Sequence, residues 1–427
     1  MRLRAWQWLL VLLTVTGGLL AGRPLAAQTA DVAVLDNAVE VEFPHQVTFR
    51  LQLNTTAGLS EATLNYRLGR QSCLEAFTQV PVELDGDTLE WVWVMSRSGN
   101  PPPGAQVTWS WSLTTTDGQT VTTPVQSFTF QDDRFSWRTV SATGPAGADR
   151  IRLNWYEGDQ VGPLLLDAAV AGLDRLEDDI GIELEGTVQF FIYASSEDMQ
   201  QALLYVQDWA GGVAFADYNT ILIGVPPRLA ESWGRRTVRH ELAHLVLDQF
   251  GLSCVGGSRP TWLEDGLAEY AEGEPDEETE GYLAQALEEN AFSPVRSLNG
   301  AFPADPDRAG LAYSQSYSLV NFLLDRYGAE AIRELLRRLA DAEPYDAALE
   351  QVYGFNADGL ERAWREAIGA PPRTIPPTPT PLAAAAVPTY PPLAGVQAVP
   401  TPAELAPAPA ATATPSSEDG LGGAICG

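Results

Sequence analysis

Apolar and polar positions alternate along the first part of the chain. Between about residues 30 and 135, segments such as VTFRLQLNT, LEWVWVM and QVTWSWSLTT are separated by turn sequences such as DGD and GNPPPGA. Alternation of period two is typical of half-buried antiparallel strands, and tight turns join such strands into hairpins. Residues 30–135 are therefore predicted to form an all-β sandwich of the immunoglobulin or fibronectin type.

The pattern changes to helical spacing from about residue 150. The segment PLLLDAAVAGLDRLEDDIG carries apolar residues at helical spacing after Pro163, whereas TVQFFIYAS and TILIGVP are predicted to be strands. From Glu231 onward nearly all of the pattern is helical. Because strands and helices are segregated along the sequence, residues 150–370 are predicted to form an α+β domain with a helical C-terminal half.

The first residues resemble a secretory signal. Arg2 and Arg4 form a positive region, residues 6–20 are mostly apolar, and small residues at positions 26 and 27 suit cleavage. Glycines interrupt an apolar stretch that is short for spanning a bilayer, which favours removal over the alternative of an uncleaved anchor. We predict a signal peptide at residues 1–27 and a secreted or cell-surface protein.

The last part of the sequence has a different composition. Pro, Ala and Thr dominate residues 371–427, and such a segment cannot bury a hydrophobic core. This tail is predicted to be a disordered, extended stalk. Together with export, a stalk predicts association with the cell envelope through the tail.

Charge and cysteine content exclude some classes of function. All 26 basic residues are Arg, against 56 acidic residues, for a net charge of -30, so the protein lacks a basic surface that would neutralise nucleic-acid phosphates. The three cysteines, Cys73, Cys254 and Cys426, are widely spaced and odd in number, so they show no disulfide framework. Two states of the cysteines are possible: a disulfide bridge between Cys73 and Cys254, or buried free thiols.

Candidate chemistry is concentrated in RTVRHELAHLVLDQF, which holds two of the three histidines of the chain. On a helix, His240 and His244 lie one turn apart on the same face, so two imidazoles can bind one zinc ion. Zinc lowers the pKa of the water that it binds to about 7, and Glu241 can take the proton. The positions that the fold must bury are apolar or uncharged, as expected for a helix beneath a cleft: Thr237, Val238, Leu242, Ala243, Leu245 and Val246. The alternative is a helix whose histidines only pack or cap.

A third ligand is needed, because two imidazoles leave a tetrahedral site half empty, and candidates occur twenty residues after His244. The segment RPTWLEDGLAEYAEG can begin a helix at Pro260 that carries Glu264, Asp265 and Glu269. Spacing alone does not decide whether Asp265 or Glu264 is the third ligand. Their side chains point about 100° apart around a helix, so the rotation of the helix determines which one faces the histidines.

These two segments resemble the peptidase MA-like family of gluzincin metallopeptidases. HELAH followed by WLEDGLAEY is similar to the two motifs of that family, whose second motif reads W-L-x-E-G-x-A-x-Y. The resemblance covers most of residues 150–370 and implies a zincin-like fold, a zinc cofactor and Asp265 as the third ligand, although Asp stands where the family has Glu. It also implies that Glu269 could orient the first histidine, for which a solvated acidic face is the alternative reading.

The same resemblance implies further parts of a peptidase site. The strand nearest the motif helix would bind an extended substrate through its main chain, and GGVAF at 211–215 is the candidate, with a plain turn as the alternative. Tyr313 or Tyr317 could stabilise the oxyanion, although aromatic residues at this spacing are commonly part of a core.

The sequence therefore predicts a multidomain, exported zinc metallopeptidase of gluzincin type. His240, His244 and Asp265 would hold Zn²⁺, Glu241 would be the general base and acid, and a peptide or protein would be the substrate. The alternatives are a non-catalytic envelope or binding protein on a degenerate zincin fold, and a non-peptidase zinc hydrolase.

Overall fold

The computed structural model of the protein describes residues 32–70, 77–144, 147–205, 211–250, 257–373 and, as main chain only, 423–426. The predicted signal peptide, Cys73 and Cys254 lie outside the described residues, as does most of the predicted tail. Among the helices of the described residues, none combines the length and the apolar composition needed to cross a bilayer.

Two antiparallel sheets form the N-terminal region. Their strands are β1 (Val34–Glu42), β2 (Gln46–Leu53), β3 (Leu59–Gly69), β4 (Thr78–Val82), β5 (Thr88–Val94), β6 (Gln106–Thr115), β7 (Thr120–Thr122) and β8 (Gln126–Thr129). One sheet has the order β1-β2-β5, and the other has the order β4-β3-β6-β7 with β8 also paired to β6. The sheet-rich N-terminal region is confirmed, whereas its immunoglobulin or fibronectin type stays a prediction.

The alternating pattern of these strands follows the two faces of each sheet. In β2, Val47, Phe49 and Leu51 are buried in the sandwich core, whereas Arg50 and Gln52 between them are exposed. Because side chains alternate across a strand, this arrangement buries one face and leaves the other in solvent.

The second region of the chain has a sheet of its own, called the second sheet below, which begins before the predicted start of the domain at residue 150. Its strands are β9 (Arg138–Thr143), β10 (Asp149–Trp155), β11 (Val188–Tyr193), β12 (Gly212–Phe215), β13 (Thr220–Gly224) and β14 (Gly423–Cys426). The order is β14-β12-β13-β11-β10-β9. Strands β10, β11 and β13 are parallel neighbours, whereas β9, β12 and β14 each pair antiparallel.

Nine α-helices accompany this sheet in the described part of the chain. They are α1 (Val161–Arg175), α2 (Ser196–Gln200), α3 (Arg235–Phe250), α4 (Thr261–Glu272), α5 (Glu277–Glu289), α6 (Pro306–Tyr327), α7 (Ala329–Ala340), α8 (Tyr345–Tyr353) and α9 (Ala357–Ala367). The helical C-terminal half is confirmed, since helices α3 to α9 follow one another without an intervening strand among the described residues.

Both faces of the second sheet are covered. In β11, Phe190 and Ile192 pack with the helices, whereas Phe191 and Tyr193 join a separate cluster on the side of the sandwich. This arrangement explains why the strand is apolar at successive positions rather than alternating.

Polar contacts join the sandwich to the second region. The buried side chain of Asn100 donates to the carbonyl of Ala202 (2.8 Å) and accepts from the amide of Leu204 (2.9 Å). The hydroxyl of Tyr193 donates to the buried carboxylate of Asp132 (3.0 Å). Because buried polar groups gain stability only when they are paired, these bonds favour a fixed contact between the two regions.

Candidate metal centre

Helix α3 places the two histidines side by side. Its buried apolar residues include Val238, Leu242 and Leu245, all fully buried, so the helix is enclosed by the fold rather than lying on its surface. His240 and His244 are each 6% exposed, and their ring centroids lie 4.9 Å apart. The i and i+4 spacing predicted this shared face.

Helix α4 brings a carboxylate to the same point. A Cβ atom on Gly266 would lie 2.5 Å from the carbonyl oxygen of Ser316, so only glycine lets α4 approach α6 this closely. With α4 in this position, Oδ1 of Asp265 lies 3.8 Å from Nε2 of His240 and 3.5 Å from Nε2 of His244. The structure therefore brings together the three residues that the sequence proposed as ligands, with ligand atoms within 4.8 Å of one another.

The competing carboxylate lies elsewhere. Glu264 accepts a hydrogen bond from Nε of Arg259 at 2.7 Å, and its side chain is 31% exposed. The rotation of α4 thus turns Asp265, and not Glu264, towards the histidines.

The donor set suits a zinc ion. Two imidazoles and one carboxylate are common zinc ligands, and such ligand atoms at about 2.0–2.1 Å from a tetrahedral ion lie roughly 3.4 Å apart. The separations of 3.5 and 3.8 Å between Asp265 and the histidines are close to this spacing. Burial opposes ionisation of Asp265, but the neighbouring His240 and His244 outweigh burial and lower the pKa of Asp265 to about 2. An ionised carboxylate is the form that binds a cation.

The orientation of His240 depends on a residue that the sequence did not single out. Nδ1 of His240 lies 2.8 Å from Oε1 of Glu272 and 3.8 Å from the nearest carboxylate oxygen of Glu269. We assign the proton to Nδ1, which donates to Glu272, because this tautomer leaves the lone pair of Nε2 directed at Asp265 and His244. The expected partner Glu269 is therefore replaced by Glu272. Since Glu272 follows Asp265 by seven residues, two helical turns on the same face, the sequence carried a signal for it.

Arg236 lies between the acidic groups beside His240. Its guanidinium forms ion pairs with Glu272, Glu269 and Asp276. Burial and the neighbouring Glu272 raise the pKa of Glu269, whereas the pKa of Glu272 is lowered because contacts with His240 and Arg236 outweigh its own burial. Glu269 and Glu272 also form a second potential metal cluster with His240. We interpret these two carboxylates as support for the histidine, because Arg236 already provides their counter-charge.

The candidate general base lies against the edge of the second sheet. Glu241 is fully buried, and a Cβ atom on Gly212 would lie 2.6 Å from its Oε1. Glycine at position 212 is thus what allows the main chain of β12 to pass directly beside this carboxylate. The predicted strand at 211–215 corresponds to β12 (Gly212–Phe215), next to α3.

A cleft of about 480 Å³ opens over this arrangement. Its lining includes Gly212, His240, Glu241 and Tyr313, and the ring centroid of Tyr313 lies 6.2 Å from that of His240. Tyr317 is absent from the described lining and is 8% exposed within the helical core. Of the two tyrosines that the sequence proposed, only Tyr313 therefore faces the cleft.

Comparison with known proteins agrees with this arrangement. Residues 168–370 match the family model of the Peptidase MA superfamily. This segment belongs to the Peptidase MA superfamily. Membership supports a metallopeptidase, and peptidases act on peptide substrates. No curated protein matches the chain.

Three solved structures show weak similarity to this protein. A two-domain M1 zinc metallopeptidase, a point mutant bound to L-tryptophan, is 14% identical over 79% of this chain and 93% of that chain, with a TM-score of 0.33. The Br derivative of BhCBM56 is 12% identical over 22% of this chain and 89% of that chain, with a TM-score of 0.18. A β-1,3-glucan binding domain of carbohydrate-binding module family 56 is 11% identical over 23% of this chain and 99% of that chain, with a TM-score of 0.16. At such low scores, these likenesses establish neither fold nor function.

Loss of Glu272 is expected to weaken zinc binding at this site. Glu272→Ala removes the acceptor for Nδ1 of His240, so the ring loses its fixed orientation, and zinc affinity should fall about 10–100-fold. Glu272→Gln keeps an acceptor oxygen and should restore most of the affinity. Competition titration against a chelator measures the change.

Glu269→Ala is the matched control, because Glu269 lies on the same helix and also contacts Arg236 but is 3.8 Å from His240. Its zinc affinity should change by much less than that of Glu272→Ala. Equal losses in the two alanine variants would show that Glu272 has no specific role in orienting the ring.

Proposed function

We propose that the protein is an exported zinc-dependent peptidase of gluzincin type, in which His240, His244 and Asp265 hold the metal. One observation carries the proposal: ligand atoms of these three residues lie within 4.8 Å of one another, on two helices, beside the buried Glu241. Membership of residues 168–370 in the Peptidase MA superfamily supports it.

Each residue has a defined task in this proposal. Zinc, when bound, supplies a Lewis acid and lowers the pKa of its water ligand. Glu241 accepts a proton from the attacking water and returns it to the leaving amine, and its buried position beside β12 keeps the carboxylate close to the substrate main chain. Glu272 is a positioning residue that acts through His240.

Substrate would bind along the edge of β12. An extended peptide can add a strand to this edge through main-chain hydrogen bonds, and the close approach of Gly212 to Glu241 would bring its backbone to the general base. Tyr313 is the candidate donor to the oxyanion, supported by its place in the cleft near His240.

Export is part of the proposal and is supported by the positive and apolar pattern of residues 1–27. These residues lie outside the described part of the chain. N-terminal sequencing of the mature protein should find a start near residue 28, and an intact first segment would contradict cleavage.

The metal content and peptidase activity of the purified protein test the proposed function. We expect about one zinc ion per chain by elemental analysis, and cleavage of a peptide library that stops on chelation and returns with added zinc. An ester panel run in parallel distinguishes a peptidase from another zinc hydrolase. A folded protein without zinc would contradict the proposal and favour a binding protein on a degenerate zincin fold.

A further inference from the structure

The edge of the second sheet next to Glu241 is already paired with a segment of the same chain. Strand β12 pairs with β13 on one side and with β14 on the other, and both pairings are antiparallel. The register of β14 places residue 426 opposite Gly212 and residue 423 opposite Phe215. The main chain of residues 423–426 therefore covers the full length of β12.

This covered edge passes directly beside the candidate base. Gly212 lies so close to Glu241 that a Cβ atom would be 2.6 Å from the carboxylate. Since residue 426 is opposite Gly212, β14 runs along the edge and reaches the register position beside Glu241. An extended substrate that pairs antiparallel with β12 would need the same main-chain groups.

We propose that residues 423–426 are an intramolecular occupant of the substrate-binding edge, which an extended peptide must displace before cleavage. This inference rests on the proposed function, because it assumes that substrates pair with β12. The inferred substrates are extended peptide segments, which compete with β14 for pairing with β12.

The composition of the tail supports this choice of segment. Prolines recur from residue 371 to residue 415, but none occurs in SSEDGLGGAICG, residues 416–427. Proline lacks the N–H that a paired strand must donate, so the recurrent prolines disfavour strand pairing before residue 416. Strand β14 lies within the proline-free end of the tail, where the main chain can pair as a strand.

The number of residues between Arg373 and β14 permits the pairing of β14 with β12, and the shortness of β14 limits its strength. Forty-nine residues separate Arg373 from Gly423, and a chain of this length reaches roughly 160 Å when extended. Because β14 belongs to the same chain as β12, it meets that edge at an effective concentration in about the millimolar range. A four-residue strand pairs weakly because water competes for its hydrogen bonds. The occupant should therefore raise KM between about two- and ten-fold without affecting kcat.

Two variants of the full chain test the proposal. Deletion of residues 423–427 removes β14, and Ala424→Pro keeps the length but removes an N–H within the strand. Ala411→Pro, in the proline-rich part of the tail, is the matched control. We measure amide hydrogen exchange of residues 212–215 without substrate, and KM and kcat for an extended peptide substrate.

In both test variants we expect faster exchange at residues 212–215 and a lower KM at unchanged kcat, whereas Ala411→Pro should match the natural sequence. A synthetic peptide LGGAICG should restore the higher KM in the deletion variant by competitive inhibition. Unchanged exchange would show that residues 423–426 do not cover the edge, and faster exchange with unchanged KM would show that they cover it without opposing substrate. Both results overturn the proposal.

The two readouts separate this inference from the proposed function. If no form of the chain cleaves a peptide, the peptidase assignment fails and there is no substrate to displace the occupant. Exchange at β12, which needs neither zinc nor substrate, still reports whether the edge is covered. If cleavage occurs but neither readout responds to the variants, only the occupant is rejected.

Discussion

Glu241→Gln is expected to abolish most peptide cleavage while leaving the zinc content unchanged. Glutamine has nearly the same shape as glutamate but cannot accept the proton of the attacking water, and general acid–base catalysis contributes about 10²–10⁴-fold to such reactions. Glu241 is not one of the three residues whose ligand atoms cluster, so its loss should not release the metal. Elemental analysis and kcat for the same peptide measure both effects.

The matched control is Glu231→Gln. Glu231 precedes α3 and has a side chain that is 74% exposed, where it pairs with Arg235. Exposed pairs contribute little, so this variant should keep its zinc and its kcat. Cleavage that survives Glu241→Gln would reject the proposed mechanism, and loss of zinc in that variant would show that Glu241 is needed for the metal centre itself.

Asp265→Ala is expected to have the second large effect, which is loss of zinc. Two imidazoles alone leave a tetrahedral ion without its third protein ligand. The fall in zinc affinity should exceed the roughly 10–100-fold expected when only an outer partner such as Glu272 is removed. Titration of zinc against a chelator, with circular dichroism to confirm folding, measures this difference.

Glu264→Ala is the control for this prediction, because Glu264 precedes Asp265 directly and is the alternative that the sequence left open. Its carboxylate contacts Arg259 instead of the histidines, so its removal should leave zinc affinity nearly unchanged. Zinc loss in Glu264→Ala with retention in Asp265→Ala would reverse the ligand assignment and contradict the rotation of α4.

Local patterns of the sequence predict much of the arrangement. The alternation in β2 and the helical spacing of α3 each depend on neighbours within one or two turns or along one strand. The shared face of His240 and His244 follows from their four-residue spacing, and their rings indeed lie 4.9 Å apart. The metal that they would hold stays a proposal.

Distances between elements cannot be obtained from these patterns. The sequence identifies acidic residues on α4, but the choice of Asp265 over Glu264 depends on how α4 is rotated against α3. Likewise, Glu269 follows Asp265 by one turn, yet Glu272 contacts His240, because the histidine lies nearer to the end of α4. The seven-residue spacing is visible in the sequence, but spacing alone cannot rank two carboxylates on one face.

The amino-acid sequence alone specifies the residue types of the site, the helix that carries two of them and the helical C-terminal half, because these features depend on local periodicity. Three-dimensional packing was needed to establish that Tyr313 and not Tyr317 faces the cleft, that Glu272 orients His240, and that residues 423–426 pair with β12. These outcomes depend on contacts between distant segments, such as the close approach of Gly266 to Ser316. Local periodicity does not specify which distant segments make such contacts.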